Sequence, residues 1–459
     1  MQVGGSTLTL GGRVVPTTPR AAGAALVREV RSMSFGLRIW MIFLSTFLAI
    51  GGVSALLALP PGWEIMGTKP SFEWGLLIVG YVFFAIITSG LCLSSSGATV
   101  FGIERFRPFE KRHAILAVLS LTTAFGIIAL ELHYPIRMVF GAVLVIAPTS
   151  PMWWMGVFYG AYLVVLLVEV WSMFTDHPRI HQWACTAAAG IAVCAPTTLG
   201  AVFGVIAAKP FWHGLFTPVL MVASAFLAGT SLLGMVFYFV HRLKLADHER
   251  AAPIAIPAVR LLLAIGLTLV SALVVRQVVA GLNSDELALR QATEALVSGP
   301  LAAQFWGLRV VAGFVVPAIL LILPFTRTPA GTAIASGLAL VGVFFDRLTF
   351  VTAGQIYPRG TLAGTVSYPY AEYTPSPVEI GIILGALAFI AMAYTLAERY
   401  LDMGETDVHV GIAWPWVKKH AHDDEHDLEH AETGAEGDVE AAGAGGLAAA
   451  GASTAGAGS

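Results

Sequence analysis

The chain reads as an all-α, polytopic integral membrane protein of about ten transmembrane helices. Three observations carry that reading. Ten apolar runs between Ile39 and Ala397 are each long enough to cross a bilayer, and none holds more than two charged residues. Of 459 residues, 56% are hydrophobic and 12% charged, about half the charged share of a soluble domain. Lys and Arg are sorted by loop rather than spread along the chain.

About 20 residues at 1.5 Å each cover a ~30 Å hydrocarbon core. On that rule the spans are Ile39–Leu59, Trp74–Ser95, His113–Leu132, Trp153–Phe174, Trp183–Ala207, Pro218–His241, Ile256–Leu282, Phe305–Leu323, Ala330–Ala353 and Val378–Ala397. Trp74, Trp153, Trp183, Trp212 and Trp306 stand at or beside span ends, where an indole prefers the headgroup region. With the N-terminus in the cytoplasm, the inner segments hold 17 Lys and Arg, the outer ones 5, and Arg260, Arg276, Arg309 and Arg347 fall within spans, Arg276 toward the outer end of its span. That bias puts both termini in the cytoplasm. The organisation is then a cytoplasmic segment over 1–38, a ten-helix membrane domain over 39–400, and a cytoplasmic tail over 401–459. Beyond about residue 417 the tail is acidic, His-rich and then Ala/Gly/Ser-rich, a composition that buries no core and stays disordered. The first thirty residues carry no signal-peptide pattern, so the first apolar run is expected to remain as an anchor.

Phe84-x3-Thr88-Ser89 in span two recurs as Phe226-x3-Thr230-Ser231 in span six. The echo points to two related four-helix units, spans two to five and six to nine. The outer loops Asn283–Ala303 and Gly354–Pro377 are the long ones in the second half, and the latter carries Tyr357, Tyr368, Tyr370 and Tyr373. They suit either a partner's docking surface or simple caps on the helices.

A net charge of -3 gives no basic bias toward nucleic acid. Cys92, Cys185 and Cys194 all lie in apolar runs, with no spacing that holds an iron–sulfur cluster or frames disulfides. Ionisable residues near the membrane therefore carry the functional signal. Glu131-Leu-His133-Tyr-Pro135-Ile-Arg137 joins an acid, an imidazole and a guanidinium at the outer end of span three. Such groups can donate hydrogen bonds to a quinone headgroup and exchange its protons where lipid meets water. Taken alone, the segment reads more simply as a Glu131–Arg137 ion pair that anchors the helix. Glu169, in the inner part of span four, is costly unless paired, protonated or watered, and Arg260 is the expected partner. With Ser120, Thr122, Thr123, Thr197 and Thr198 it makes a candidate proton path, or else a structural pair beside packing hydroxyls. Asp346 and Arg347 end span nine and, as neighbours, point to different faces, so each is expected to meet another partner. Arg309 is the natural partner for Asp346. Haem b needs two axial ligands at one depth on different helices, and no histidine lies deep in a span, so no haem is expected.

The Glu131–Arg137 segment followed by Ser150-Pro-Met152-Trp-Trp-Met-Gly156 resembles the paired element of the NrfD/PsrC (polysulfide reductase) membrane subunits. Trp74-Gly-x4-Gly80-Tyr81 through Ser89-Gly90 is similar to that family's first common helix, and Arg105–Arg112 to its basic loop. Phe345-Asp346-Arg347 and Pro375–Gly381 resemble the ten-helix branch that includes HybB, DsrP and ActC. The resemblance covers roughly Trp74 to Arg399. Two positions depart from it: Glu131 stands for the commoner Asp, and His133 where many members carry Gly or another residue.

The resemblance implies a respiratory-chain subunit of the bacterial inner membrane that exchanges electrons with quinone or menaquinone and binds neither haem nor an iron–sulfur cluster. A docked periplasmic-side ferredoxin-like subunit would carry the electrons, with further catalytic or cytochrome subunits beyond it. Carried over to this sequence, Glu131 and His133 handle the protons, and Glu131, His133, Arg137, Trp74 and Tyr81 bind the quinone. Glu169, Asp346 and Arg309 are the proton-path candidates. Alone, the chain is not expected to be a complete enzyme. The competing readings are a secondary transporter, which a repeat and a midmembrane acid permit, and a purely structural anchor.

Overall fold

The structure, a computed structural model, describes residues 3–4, 7–10, 13–16, 33–59, 65–70, 72–99, 110–132, 146–175, 177–243, 251–356 and 370–401. His133, Arg137, residues 105–109 of the basic loop, 357–369 of the aromatic loop and the tail beyond 401 lie outside the described residues.

A small antiparallel meander comes first: β1 (Val3–Gly4), β2 (Thr7–Leu10) and β3 (Arg13–Pro16), with Leu8 opposite Val15. The sequence reading did not anticipate it. Apart from an isolated bridge between Lys69 and Phe72, every later element among the described residues is a helix. In order these are α1 (Phe35–Ala58), α2 (Leu76–Thr99), α3 (Glu110–Glu131), α4 (Pro151–Met173), α5 (Pro178–Gly204), α6 (Phe216–Leu243), α7 (Ala251–Leu282) and the short α8 (Leu287–Val297). Then come α9, a π-helical run Gln304–Val315 continued by Val316–Ile322, α10 (Pro329–Ala353) and α11 (Pro377–Tyr400). All but α8 are long and apolar enough to cross a membrane, which gives the ten spans expected.

Local chemistry sets the starts. Proline opens α4, α5, α10 and α11, where its missing N–H costs nothing. Ser34 and Thr328 cap α1 and α10 by accepting from Leu37 N and Gly331 N. Ser376 and Glu379 form a reciprocal capping box at α11. Pro317 stands just where the π run of α9 gives way to α-helix.

Contacts place the starts of α2, α6 and α11 beside the ends of α3, α5 and α10, on what we call the far face. The starts of α1, α3 and α5 lie with the ends of α4 and α11 on the terminal face. α2 packs on α3 and α5, as α6 packs on α7 and α10, and the two groups interlock through α2–α6, α5–α6 and α2–α10. This is the paired four-helix plan that the echo implied, and the echoed segments meet each other. A Cβ on Gly90 would collide with the backbone of Gly229 and the reverse, while Ser94 Oγ and Thr230 Oγ1 share a 2.7 Å hydrogen bond. α1 is peripheral, held on α11 where Gly51 meets Gly385.

Candidate functional site

On the far face, the extended residues before α2 are locked to the end of α10. Gln355 Oε1 accepts from Trp74 N at 3.0 Å, and Gln355 Nε2 donates to Trp74 O at 2.9 Å. The Trp74 indole stacks on Trp212 at 5.0 Å and meets Phe203 edge-on at 5.2 Å, while Trp212 Nε1 donates to Phe350 O at 2.8 Å. Trp74 and Trp212 stand beside helix ends, as expected. There they pack against protein, because each finds aromatic faces, and Trp212 also finds an acceptor. Trp183 and Trp306 do stay exposed.

Beside this aromatic group, Tyr373 stacks on Phe72, accepts from Leu76 N at 2.6 Å and donates to Glu379 Oε1 at 2.8 Å. Burial, reinforced by the Glu379 carboxylate, holds the Tyr373 phenol well above the ordinary tyrosine value, so it remains a neutral donor. The other Glu379 oxygen accepts from Gly67 N and Ser376 N at 3.0 and 2.8 Å, which leaves this fully buried acid well satisfied. Glu131, the last residue of α3, lies close enough to feel both Glu379 and Tyr373. Among the described residues no hydrogen bond or ion pair ends on its half-buried carboxyl. Tyr81, on α2 below Trp74, donates to Met155 Sδ of α4 at 3.4 Å, a weak acceptor.

Glu169 lies in the terminal half of the same four-helix unit, fully buried. Its partner is not Arg260. His113 Nε2 of α3 stands 3.1 Å from Glu169 Oε1, and Cys185 Sγ of α5 donates to the same oxygen at 3.4 Å. Arg260 binds the carbonyls of Leu320, Leu321 and Thr326 and the Thr332 hydroxyl, so it caps the end of α9. Thr197 and Thr198 bond back to their own helix at exposed or half-exposed positions and do not join Glu169, whereas Ser120 is buried. Sequence reasoning missed His181, Cys185, Cys92, Tyr159 and Tyr162. These imidazoles, thiols and phenols share no sequence spacing, and only packing brings their four helices to one point.

Arg309 and Asp346 do pair, fully buried between α9 and α10. Arg347 meets α6, as expected of a separate partner, but it does not turn away from Asp346. It folds back on the Asp346 carboxylate and also reaches Ser224 Oγ of α6 at 3.2 Å. The π run supplies the register that turns Arg309 inward. This triad belongs to the second four-helix unit and Glu169 to the first, and no described contact joins them.

With that geometry in hand, the family model for polysulphide reductase, NrfD, matches residues 64–359. The chain belongs to the NrfD family. It is 24% identical over 372 residues to an Hdr-like menaquinol oxidoreductase integral membrane subunit of Archaeoglobus fulgidus, covering 78% of this chain and 91% of that one. It is 25% identical over 420 residues to a putative dimethyl sulfoxide reductase membrane subunit of Halobacterium salinarum, covering 81% and 93%. A selenate reductase subunit of Mesobacillus selenatarsenatis matches at 24% over 242 residues, 44% of this chain and 56% of that one. This NrfD-family chain is thus a multi-pass membrane protein similar to membrane subunits of quinone-linked and reductase complexes, as its sequence implied.

Proposed function

We propose that this chain is the quinone-interacting membrane subunit of a respiratory oxidoreductase complex in the bacterial inner membrane. Both termini face the cytoplasm on this reading, so the far face is periplasmic. The substrate is a quinone or quinol, menaquinol in the first instance. A ferredoxin-like iron–sulfur subunit on the far face takes or supplies the electrons, and catalytic or cytochrome subunits lie beyond it.

The Glu131 carboxyl, without a partner among the described residues, carries the reading. Oxidation of a quinol releases two electrons and two protons, and the protons need an acceptor at the membrane boundary. Glu131 or His133 takes them, and Arg137 holds a quinone oxygen or the carboxylate. Trp74 offers an aromatic wall fixed by Gln355, and Tyr81 offers a hydroxyl whose weak thioether contact is easily exchanged for a quinone oxygen. Glu169 on one half, and Asp346 with Arg309 on the other, are the buried groups assigned to proton handling. The relative named as a menaquinol oxidoreductase subunit supports the substrate class.

The test is quinol oxidation by the purified complex with Glu131→Gln and His133→Ala. Loss of a proton acceptor predicts a fall in turnover of about 10²-fold. Normal turnover and normal quinol affinity in both variants removes the site.

A further inference from the structure

Within α2–α5 the titratable side chains do not scatter. They follow one another from helix to helix. Tyr81 and Tyr159 are electrostatic neighbours in the far half, and Tyr159 in turn neighbours Tyr162, one turn further along α4. The Tyr162 hydroxyl, which donates to Thr88 O of α2 at 3.4 Å, is an electrostatic neighbour of the Cys92 thiol, and Cys92 of His113. His113 meets Glu169 at 3.1 Å, Glu169 meets Cys185 at 3.4 Å, and Cys185 meets His181 Nε2 at 3.5 Å. His181 Nδ1 ends the file on Ser172 Oγ at 3.5 Å, near the start of α5. All eight groups are buried.

A second, independent observation points to water in this file. Tyr159 Oη, Ser89 Oγ, Ser120 Oγ and Glu169 Oε2 are buried without a hydrogen-bond partner among the described residues, and all four belong to α2, α3 and α4. Tyr159 and Ser89 are neighbours, yet neither side-chain oxygen completes a hydrogen bond among the described residues. Orphaned polar atoms facing one another inside a helical unit are where an internal water makes its two to four bonds. From Tyr81 to Cys92 along α2, the file covers about 16 Å of the membrane's depth. At this level α2 packs on α3: a Cβ on Gly80, next to Tyr81, would meet Ile127 Cδ1 of α3 at 3.5 Å, one turn short of Glu131.

We propose that Tyr81, Tyr159, Tyr162, Cys92, His113, Glu169, Cys185 and His181, bridged by water at the Tyr159–Ser89 and Glu169 Oε2 positions, form a proton relay across the first four-helix unit. Each hop breaks one O–H, S–H or N–H bond and forms the next. One proton enters at one end, one leaves at the other, and no electron moves. Tyr81, Cys92, Tyr159, Tyr162, Cys185 and His181 are new members of the path. The link from Tyr81 to quinol rests on the proposed function above; the relay itself does not.

The test uses the purified complex in sealed liposomes with a pH dye inside. In the first measurement, a potassium diffusion potential drives protons without any quinol. Cys92→Ala, Tyr162→Phe and Glu169→Gln are expected to slow the dye response at least tenfold, within the ~10²-fold range of a lost proton-transfer group. Cys92→Ser keeps a relaying hydroxyl and should restore it, which a purely packing role for Cys92 does not predict. Thr197→Ala, whose hydroxyl only bonds its own helix, serves as the control. Equal rates in wild type and all variants overturn the relay, as does equal loss in Cys92→Ala and Cys92→Ser. In the second measurement quinol drives the reaction. Absent quinol oxidation with a Cys92- and Glu169-dependent flux sinks the quinone reading and leaves the relay standing.

Discussion

Gln355 holds Trp74 by both of its main-chain groups, accepting from its N–H at 3.0 Å and donating to its C=O at 2.9 Å. One side chain at the end of α10 thereby fixes the segment that leads into α2, and with it the indole stacked on Trp212. Gln355→Leu fills the space but strands both Trp74 groups, at about 1–3 kcal/mol for each buried group left unsatisfied. The expected result is a lower thermal midpoint in detergent and a raised KM for quinol. An unchanged KM alongside a lowered midpoint would confine Gln355 to stability.

The buried triad has two guanidiniums and one carboxylate, and among the described residues no other charged group contributes to the field at Arg309 or Asp346. The loss of either partner type is therefore unequal. Asp346→Asn leaves two uncompensated buried cations and costs about 3–5 kcal/mol. Arg309→Met leaves a balanced Asp346–Arg347 pair and should cost clearly less. Thermal aggregation of the detergent-solubilised chain ranks the two, and the reverse order contradicts this account.

α2 and α6 cross backbone to backbone at Gly90 and Gly229, and a side chain at either has nowhere to go. Gly126 on α3 faces open space. Gly90→Leu should abolish accumulation of folded protein in membranes, while Gly126→Leu should accumulate as wild type does. Quantitative immunoblotting after size-exclusion chromatography checks both.

Tyr373 binds its proton more tightly folded than unfolded, because burial and Glu379 raise its pKa. Its contribution to stability is therefore full below the unfolded tyrosine value, about pH 10, and is lost as pH rises beyond it. Tyr373→Phe should flatten the alkaline limb of a stability–pH curve by up to one proton. It also deletes the Leu76 N–H acceptor and the Glu379 donor, which costs about 1–3 kcal/mol at pH 7. A steeper alkaline limb in the variant would reverse the sign of the shift.

The ten spans were legible because a bilayer asks a one-dimensional question: whether about 20 consecutive residues avoid charge. The family was legible for a related reason, since short segments such as Glu131–Arg137 and Ser150–Gly156 keep their order along the chain. The Phe84/Phe226 echo foretold paired units because a repeat also survives in linear order. Partner choice did not survive in that form. Arg260 and Glu169 looked matched by depth and sign, yet the fold sends Arg260 to the carbonyls that end α9 and gives Glu169 to His113 and Cys185. Arg347 looked turned away from Asp346 by helix geometry, yet a long flexible stem lets it fold back. Linear order determines how many helices there are and how deep each polar group lies. Which polar groups meet depends on the rotation of each helix about its axis, and that is set by packing at sites such as Gly90 against Gly229, between residues far apart in the chain.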